Sequence, residues 1–184
     1  MIEVSHARGA NLPPVRSVVQ RVRSASVDVG GTRVCAIGPG LLILLGVRKG
    51  ETYSDLEWMT EKVLNLRIFD DEAGVMNLSV RDIAGEILVV SQFTLLANSR
   101  KGRRPSYIDA APPDQAKRHY EDFCDRLGLS GLKVRRGVFQ AMMDVALVND
   151  GPVTILLDSL KESPPNVIAK APATPNVIAK APSF

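Results

Sequence analysis

The sequence predicts an α+β fold in which strands outnumber helices. Three observations lead there. Apolar runs rich in Val, Ile and Leu recur at 18–29, 41–47 and 87–93, each beginning or ending near glycine. Only two segments, opening at 54–57 and at 112–114, repeat apolar residues at helical spacing. The chain has 184 residues, of which 45% are hydrophobic, enough to bury one core in one domain.

The elements follow in order. Residues 18–29 alternate partly and stop at Gly30-Gly31, a hairpin signal, with a return through 34–37. Gly38-Pro39-Gly40 reads as a turn and 41–47 as a central strand. Ser54-Asp55-Leu56-Glu57 has the form of a capping box. The helix it opens carries Leu56, Met59, Val63 and Leu66 on one face. Residues 87–93 form a second buried strand. Pro112-Pro113-Asp114 opens the second helix, with Ala116, Tyr120, Phe123 and Leu127 inward and an end near Gly128. Residues 133–139, 141–148 and 153–157 read as strands.

Charge and cysteine usage narrow the setting. The formal net charge is +3, and four of the five residues in 100–104 are Lys or Arg. Cys35 and Cys124 are far apart and form no C-x-x-C, so both are expected in the core of a protein kept reduced. No apolar stretch reaches membrane-spanning length, and residues 1–14 lack the apolar centre of a secretory signal. The expectation is a cytoplasmic protein. Residues 161–184 hold an exact repeat, with Pro165 to Pro172 recurring as Pro175 to Pro182. Five prolines there favour a disordered Pro/Ala/Lys tail, the alternative being a basic arm that touches RNA.

Two short segments carry the chemistry. Ser91-Gln92-Phe93-Thr94-Leu95 closes the run Ile87-Leu88-Val89-Val90. Asn149-Asp150-Gly151-Pro152-Val153-Thr154 sits between two strand-like runs. Taken alone, the first reads as strand-end packing and the second as an ordinary turn. The only histidines are His6 and His119, so no Ser-His-Asp triad exists, and His119 is placed on the polar side of its helix. No H-E-x-x-H and no Cys/His cluster offers a metal site, and Asp70-Asp71-Glu72 reads as a solvated turn before Gly74.

Together the two segments resemble the signature motifs of the D-aminoacyl-tRNA deacylases. The resemblance extends from about residue 15 to 159. It runs through Val18-Val19-Gln20-Arg21-Val22, Gly38-Pro39-Gly40, Asn65-Leu66-Arg67-Ile68-Phe69, Met76-Asn77-Leu78-Ser79 and Arg100-Lys101-Gly102-Arg103-Arg104-Pro105. It implies a mainly antiparallel sheet or barrel flanked by two helices, and a homodimer that hydrolyses the ester between a D-amino acid and tRNA. Glycyl-tRNA is an expected further substrate, and L-aminoacyl-tRNA is rejected. The activity would be one of translation quality control and needs no metal and no cofactor.

Family members usually begin with Met where this chain has Val15, so translation is expected to start there. Residues 1–14 are then a mis-assigned start, or else a disordered leader, with 15–160 as the deacylase domain.

The resemblance also implies roles. Thr94 would lie nearest the ester, its hydroxyl either attacking the carbonyl or holding a water. The neighbouring hydroxyl of the terminal adenosine would be the alternative source of assistance. Ser91 and Gln92 would supply hydrogen bonds, and the N–H of Phe93 or Thr94 would serve the oxyanion. Phe93 itself is expected in the core or the pocket wall. Gly151-Pro152 would be cis and would enter the partner subunit's site, its carbonyls holding the α-amino group and walling off an L side chain. Arg100, Lys101, Arg103 and Arg104 would meet tRNA phosphates, with Lys133, Arg135 and Arg136 extending the patch. Two other functions compete: an RNA-binding module without catalysis, and an editing domain acting on L-aminoacyl-tRNA.

Overall fold

The computed structural model describes residues 15–50 and 52–159. The readings of 1–14 as a leader and of 161–184 as a repeat tail lie outside them. Two helices pack on a mixed sheet that curls until it is nearly closed.

Strand β1, Val15–Val29, organises the sheet. One edge pairs antiparallel with β3, Gly40–Val47, and then with β2, Thr32–Ile37. The other edge pairs antiparallel with β8, Asp144–Asp158, along almost its whole length. The helix α1, Tyr53–Asn65, and the short hairpin β4–β5, Phe69–Asp70 with Met76–Leu78, follow β3. They carry the chain to β6, Glu86–Ser91, which therefore lies parallel to β3. After helix α2, Pro113–Gly128, strand β7, Val134–Arg136, pairs parallel with β6. The antiparallel expectation holds for β1 and its three partners, and the long crossovers add the two parallel pairs.

Alternation sorts the apolar residues onto two faces. Leu41, Ile43 and Val89 meet Met59, Val63, Phe123 and Leu127 from the helices. Leu42, Leu88 and Val90 meet Val22, Val27 and Ile37 on the other face, where the curled sheet brings β2 close to β6 and β7. Strands β3 and β6 are buried on both faces, which is why they read as continuous apolar runs.

Five boundaries differ from expectation. The α1 cap is Thr52, whose N–H and Oγ1 donate to Asp55 Oδ2 at 2.9 and 2.6 Å, so the box lies two residues before Ser54 and Glu57. Leu66 caps the other end, half-buried. Strand β6 stops at Ser91, because Phe93–Leu96 turns into a 3-10 helix. The expected strands 141–148 and 153–157 are one strand, β8, and 133–139 shrinks to three residues.

Cys124 is buried and Cys35 partly so, both as free thiols. Burial pushes the Cys124 thiol up to about 12 and raises Cys35 as well, so neither is poised to react. Asp71 holds its turn by accepting from the N–H groups of Ala73 and Val75 at 2.9 and 3.1 Å. No helix among the described residues is long and apolar enough to cross a membrane.

Glu86 locks the start of β6. Its carboxylate accepts from Lys133 Nζ and from Gly38 N–H at 3.0 Å. The Lys133 hydrogen bond, opposed by burial and helped by Gly38, holds it below the usual carboxylate range. A depressed folded pKa contributes stability above the unfolded value of about 4.3, lost as pH falls through the folded pKa. Glu86→Gln is therefore expected to lower Tm at pH 7 and to lower it less at about pH 2.5. An equal drop at both pH values would assign the effect to packing instead.

Candidate active site

The end of β6, the 3-10 turn Phe93–Leu96, the segment 110–116 and the segment 137–145 enclose a cleft of about 710 Å³. The walls are mostly apolar, with Val47, Ala116, Phe139 and Met143 among them. Ser91, Gln92, Thr94 and Gln140 bring the polar side chains, and among the described residues no ionisable one lines the cleft. The sequence grouped Ser91, Gln92, Phe93 and Thr94, and all four line it.

The turn is held from three sides. Gln92 N–H donates to Leu45 O at 2.7 Å, joining it to β3. Arg16 on β1, paired with Asp158 at 2.8 Å, donates from Nη1 to Leu95 O at 3.3 Å. Gly46 lets the turn lie directly on β3, since a Cβ there would sit 3.1 Å from Gln92 O and 3.2 Å from Leu95 Cβ. Across the cleft mouth, Ala111 N–H donates to Val47 O at 3.0 Å, and Arg48 pairs with Asp109 at 3.1 Å.

Gln92 Nε2 donates to Thr94 Oγ1. That amide cannot accept a proton, so the group beside the Thr94 hydroxyl orients it without activating it as a nucleophile. The backbone N–H groups of Phe93 and Thr94 meet no acceptor among the described residues. They begin the 3-10 turn, where donors are left over. Phe93 is 53% exposed, on the rim and outside the core, with its ring 5.1 Å edge-on to Tyr107.

Arg100, Lys101, Arg103 and Arg104 lie on an exposed loop closed by the Asn98–Ser106 bridge. None of the four forms an ion pair among the described residues, and the Phe93–Tyr107 contact sets the base of the loop beside the cleft. Two of the three residues expected to extend the patch are paired elsewhere, and Arg135 is exposed. Lys133 is paired with Glu86 at the far end of β6 from Ser91, and Arg136 with Asp125 at 2.7 Å. Their charge is met by carboxylates on adjacent elements.

His119 is half-buried and stacks on Tyr53 with centroids 6.2 Å apart, so the polar-face expectation is corrected. Desolvation lowers its pKa, with Asp122 opposing, and it does not line the cleft. His119→Ala is expected to change hydrolysis of D-tyrosyl-tRNA less than about twofold. A loss of a hundredfold or more would reveal an imidazole base.

Gly151-Pro152 is a cis peptide. It lies in an outward excursion of β8, since Gln20 pairs with Thr154 and Val22 with Asn149, leaving Arg21 opposite the extra residues. Both residues are exposed and neither lines the cleft of its own chain. Gly151 has φ +120°, and a Cβ there would lie 2.9 Å from Arg21 Nη2.

Arg21, 7% exposed, was missed as a site residue. Its guanidinium donates to Asp150 O at 3.2 Å and to Ile68 O at 2.6 Å, fastening the excursion to the sheet. The signal was present: Val15, Ser17 and Val19 face inward at period two, which puts Arg21 on the same face.

A protein of Myxococcus xanthus named D-aminoacyl-tRNA deacylase is 59% identical over 79% of this chain and 95% of its own length. A protein of the same name from Geobacter sulfurreducens is 55% identical over 81% and 98%. A solved structure named c-Myc DNA unwinding element binding protein superposes with TM-score 0.75 at 45% identity, covering 79% of this chain and 99% of its own. A probable eukaryotic D-amino acid tRNA deacylase, 18% identical with TM-score 0.69 over 78% and 98%, shares the fold. The profile described as D-Tyr-tRNA(Tyr) deacylase matches residues 18–158, so the chain belongs to that family.

Proposed function

We infer that this protein hydrolyses the ester of D-aminoacyl-tRNA to free D-amino acid and tRNA, removing the wrong enantiomer before translation. The carrying observation is the pairing of an uncharged cleft, with unmet N–H groups at Phe93 and Thr94, with an exposed cis Gly151-Pro152 outside it. An ester needs little activation, so donors for the oxyanion and an oriented water suffice without an acid–base residue. Water adds to the carbonyl carbon, and the Phe93 and Thr94 N–H groups meet the charge that develops on its oxygen. The ester C–O bond breaks and the ribose hydroxyl leaves with a proton. The adjacent ribose hydroxyl assists, and Thr94, held by Gln92, positions the water. No cofactor enters this scheme.

Residues 15–160 act as the one catalytic domain, in the cytoplasm, where charged tRNA is used. The protein works as a homodimer in which each Gly151-Pro152 completes its partner's cleft. Its carbonyls hold the α-amino group and leave no room for an L side chain, whereas glycine, having none, is cleaved too. The unpaired Arg100, Lys101, Arg103 and Arg104 meet phosphates of the acceptor end.

Paired assays with D-tyrosyl-tRNA and L-tyrosyl-tRNA test this. The expected result is loss of the D-ester at least about a hundredfold faster than the L-ester, a gap of roughly 2.7 kcal/mol. Cleavage of neither ester, or preference for the L-ester, would refute it. A confirmed monomer that keeps both rate and chirality would refute the shared site alone.

A further inference from the structure

Gln140 has a backbone that its side chain does not favour. Segment 137–143 joins β7 to β8 and forms one wall of the cleft. It is fixed by Gly137 N–H donating to Val89 O at 2.8 Å. The Tyr120 hydroxyl lies 3.0 Å from Val89 O and 3.1 Å from Gly137 O, and its ring packs 5.9 Å from Phe139. Within it, Ala141 N–H donates to Val138 O at 3.2 Å, closing a turn with Gln140 third. There φ is +63°, a left-handed value at a position where glycine or asparagine is the unstrained choice. Ala84 is the other non-glycine residue with positive φ among those described, and it does not line the cleft.

Gln140 is exposed at the cleft surface, on a backbone that glycine would adopt without strain. Its carboxamide has no hydrogen-bond partner among the described residues, although Gln140 lines the cleft. The other polar side chains there, Ser91, Gln92 and Thr94, cluster at the end of β6. Phe139, Ala141 and Met143 beside Gln140 offer apolar surface.

We propose that Gln140 binds the terminal adenine base of the substrate through its carboxamide. The inference rests on the aminoacyl-tRNA reading above, because every such substrate ends in adenosine. A carboxamide presents one donor and one acceptor side by side, which match a ring nitrogen of adenine and its exocyclic amine. The apolar residues cover the purine face. Binding through a base common to all tRNAs leaves the amino-acid side chain unread, so one cleft serves many D-amino acids.

The test is binding of a non-hydrolysable amide, 3′-(D-alanylamino)-3′-deoxyadenosine, and of its analogue lacking the 6-amino group, by calorimetry on the full chain. Both edges of adenine use that amine, so its removal leaves the carboxamide oxygen unmet whichever edge is read. Wild type is expected to bind the analogue about tenfold more weakly. Gln140→Gly is expected to bind both ligands at the weaker level, with an equal or higher Tm because glycine suits the positive φ. Equal binding of the two ligands by wild type, binding of neither, or an undiminished preference in Gln140→Gly would overturn the assignment. A wild type that shows the preference but cleaves neither tyrosyl-tRNA supports Gln140 and sinks only the hydrolysis. A wild type that cleaves the D-ester without the preference sinks only Gln140.

Discussion

Gly151→Ala is expected to lower kcat/KM for D-tyrosyl-tRNA by about 10²–10³-fold, roughly the cost of displacing a positioning group by an ångström or more. The added methyl would sit 2.8 Å from Val153 Cγ2 and 2.9 Å from Arg21 Nη2. Arg21 has little freedom to retreat, being buried and bonded to Ile68 O and Asp150 O. The φ of +120° is also one that L residues avoid. The peptide must therefore shift, at a stability cost of about 1–3 kcal/mol. Hydrolysis and thermal unfolding measured together check both parts. Wild-type hydrolysis by a stably folded Gly151→Ala protein would remove Gly151-Pro152 from the site.

Gly46→Val is expected to lower kcat by about a hundredfold while changing tRNA binding little. The glycine lies under the turn that carries Phe93 and Thr94, and its first added carbon would already press on Gln92 O and Leu95 Cβ. β3 is buried on both faces and cannot yield, so the turn is expected to move and carry its N–H groups away from the proposed oxyanion position. Arg100 to Arg104 lie on an exposed loop outside that contact, and their charge remains available to phosphate. Single-turnover hydrolysis with a parallel filter-binding titration separates the two effects. Unchanged kcat, or kcat and tRNA affinity falling together, would count against the turn as the oxyanion site.

Combined, the two variants test the proposed shared site. Gly46→Val is expected to damage the cleft and Gly151→Ala the segment proposed to enter the partner's cleft. A co-expressed mixed dimer keeps one intact combination. With half of the dimers mixed and one good site in each pair, activity is expected to recover to about a quarter of wild type. Recovery to no more than the average of the separate variants would place cleft and Gly151-Pro152 in the same chain.

By itself the sequence determined the strands within 18–29, 41–47 and 87–91, both helices and most of their inward faces. Those features depend on local periodicity and on neighbours in the chain, which a sequence displays directly. The family resemblance led to the grouping of Ser91, Gln92, Phe93 and Thr94 and to Gly151-Pro152, where the local residues alone read as strand-end packing and as a turn. Only the tertiary structure decided that 141–157 belong to one strand, because an excursion in a ladder is defined by its partner, β1. It also decided that Arg21 fastens Asp150, across 129 residues of chain. Lys133 and Arg136 lost their place in the basic patch for the same reason, since Glu86 and Asp125 reach them only after folding. Gln140 carries no motif, and its backbone angle arises from a turn set by Gly137, Val89 and Tyr120 together. Pairing over such distances is a property of packing, and periodicity in one segment holds no record of it.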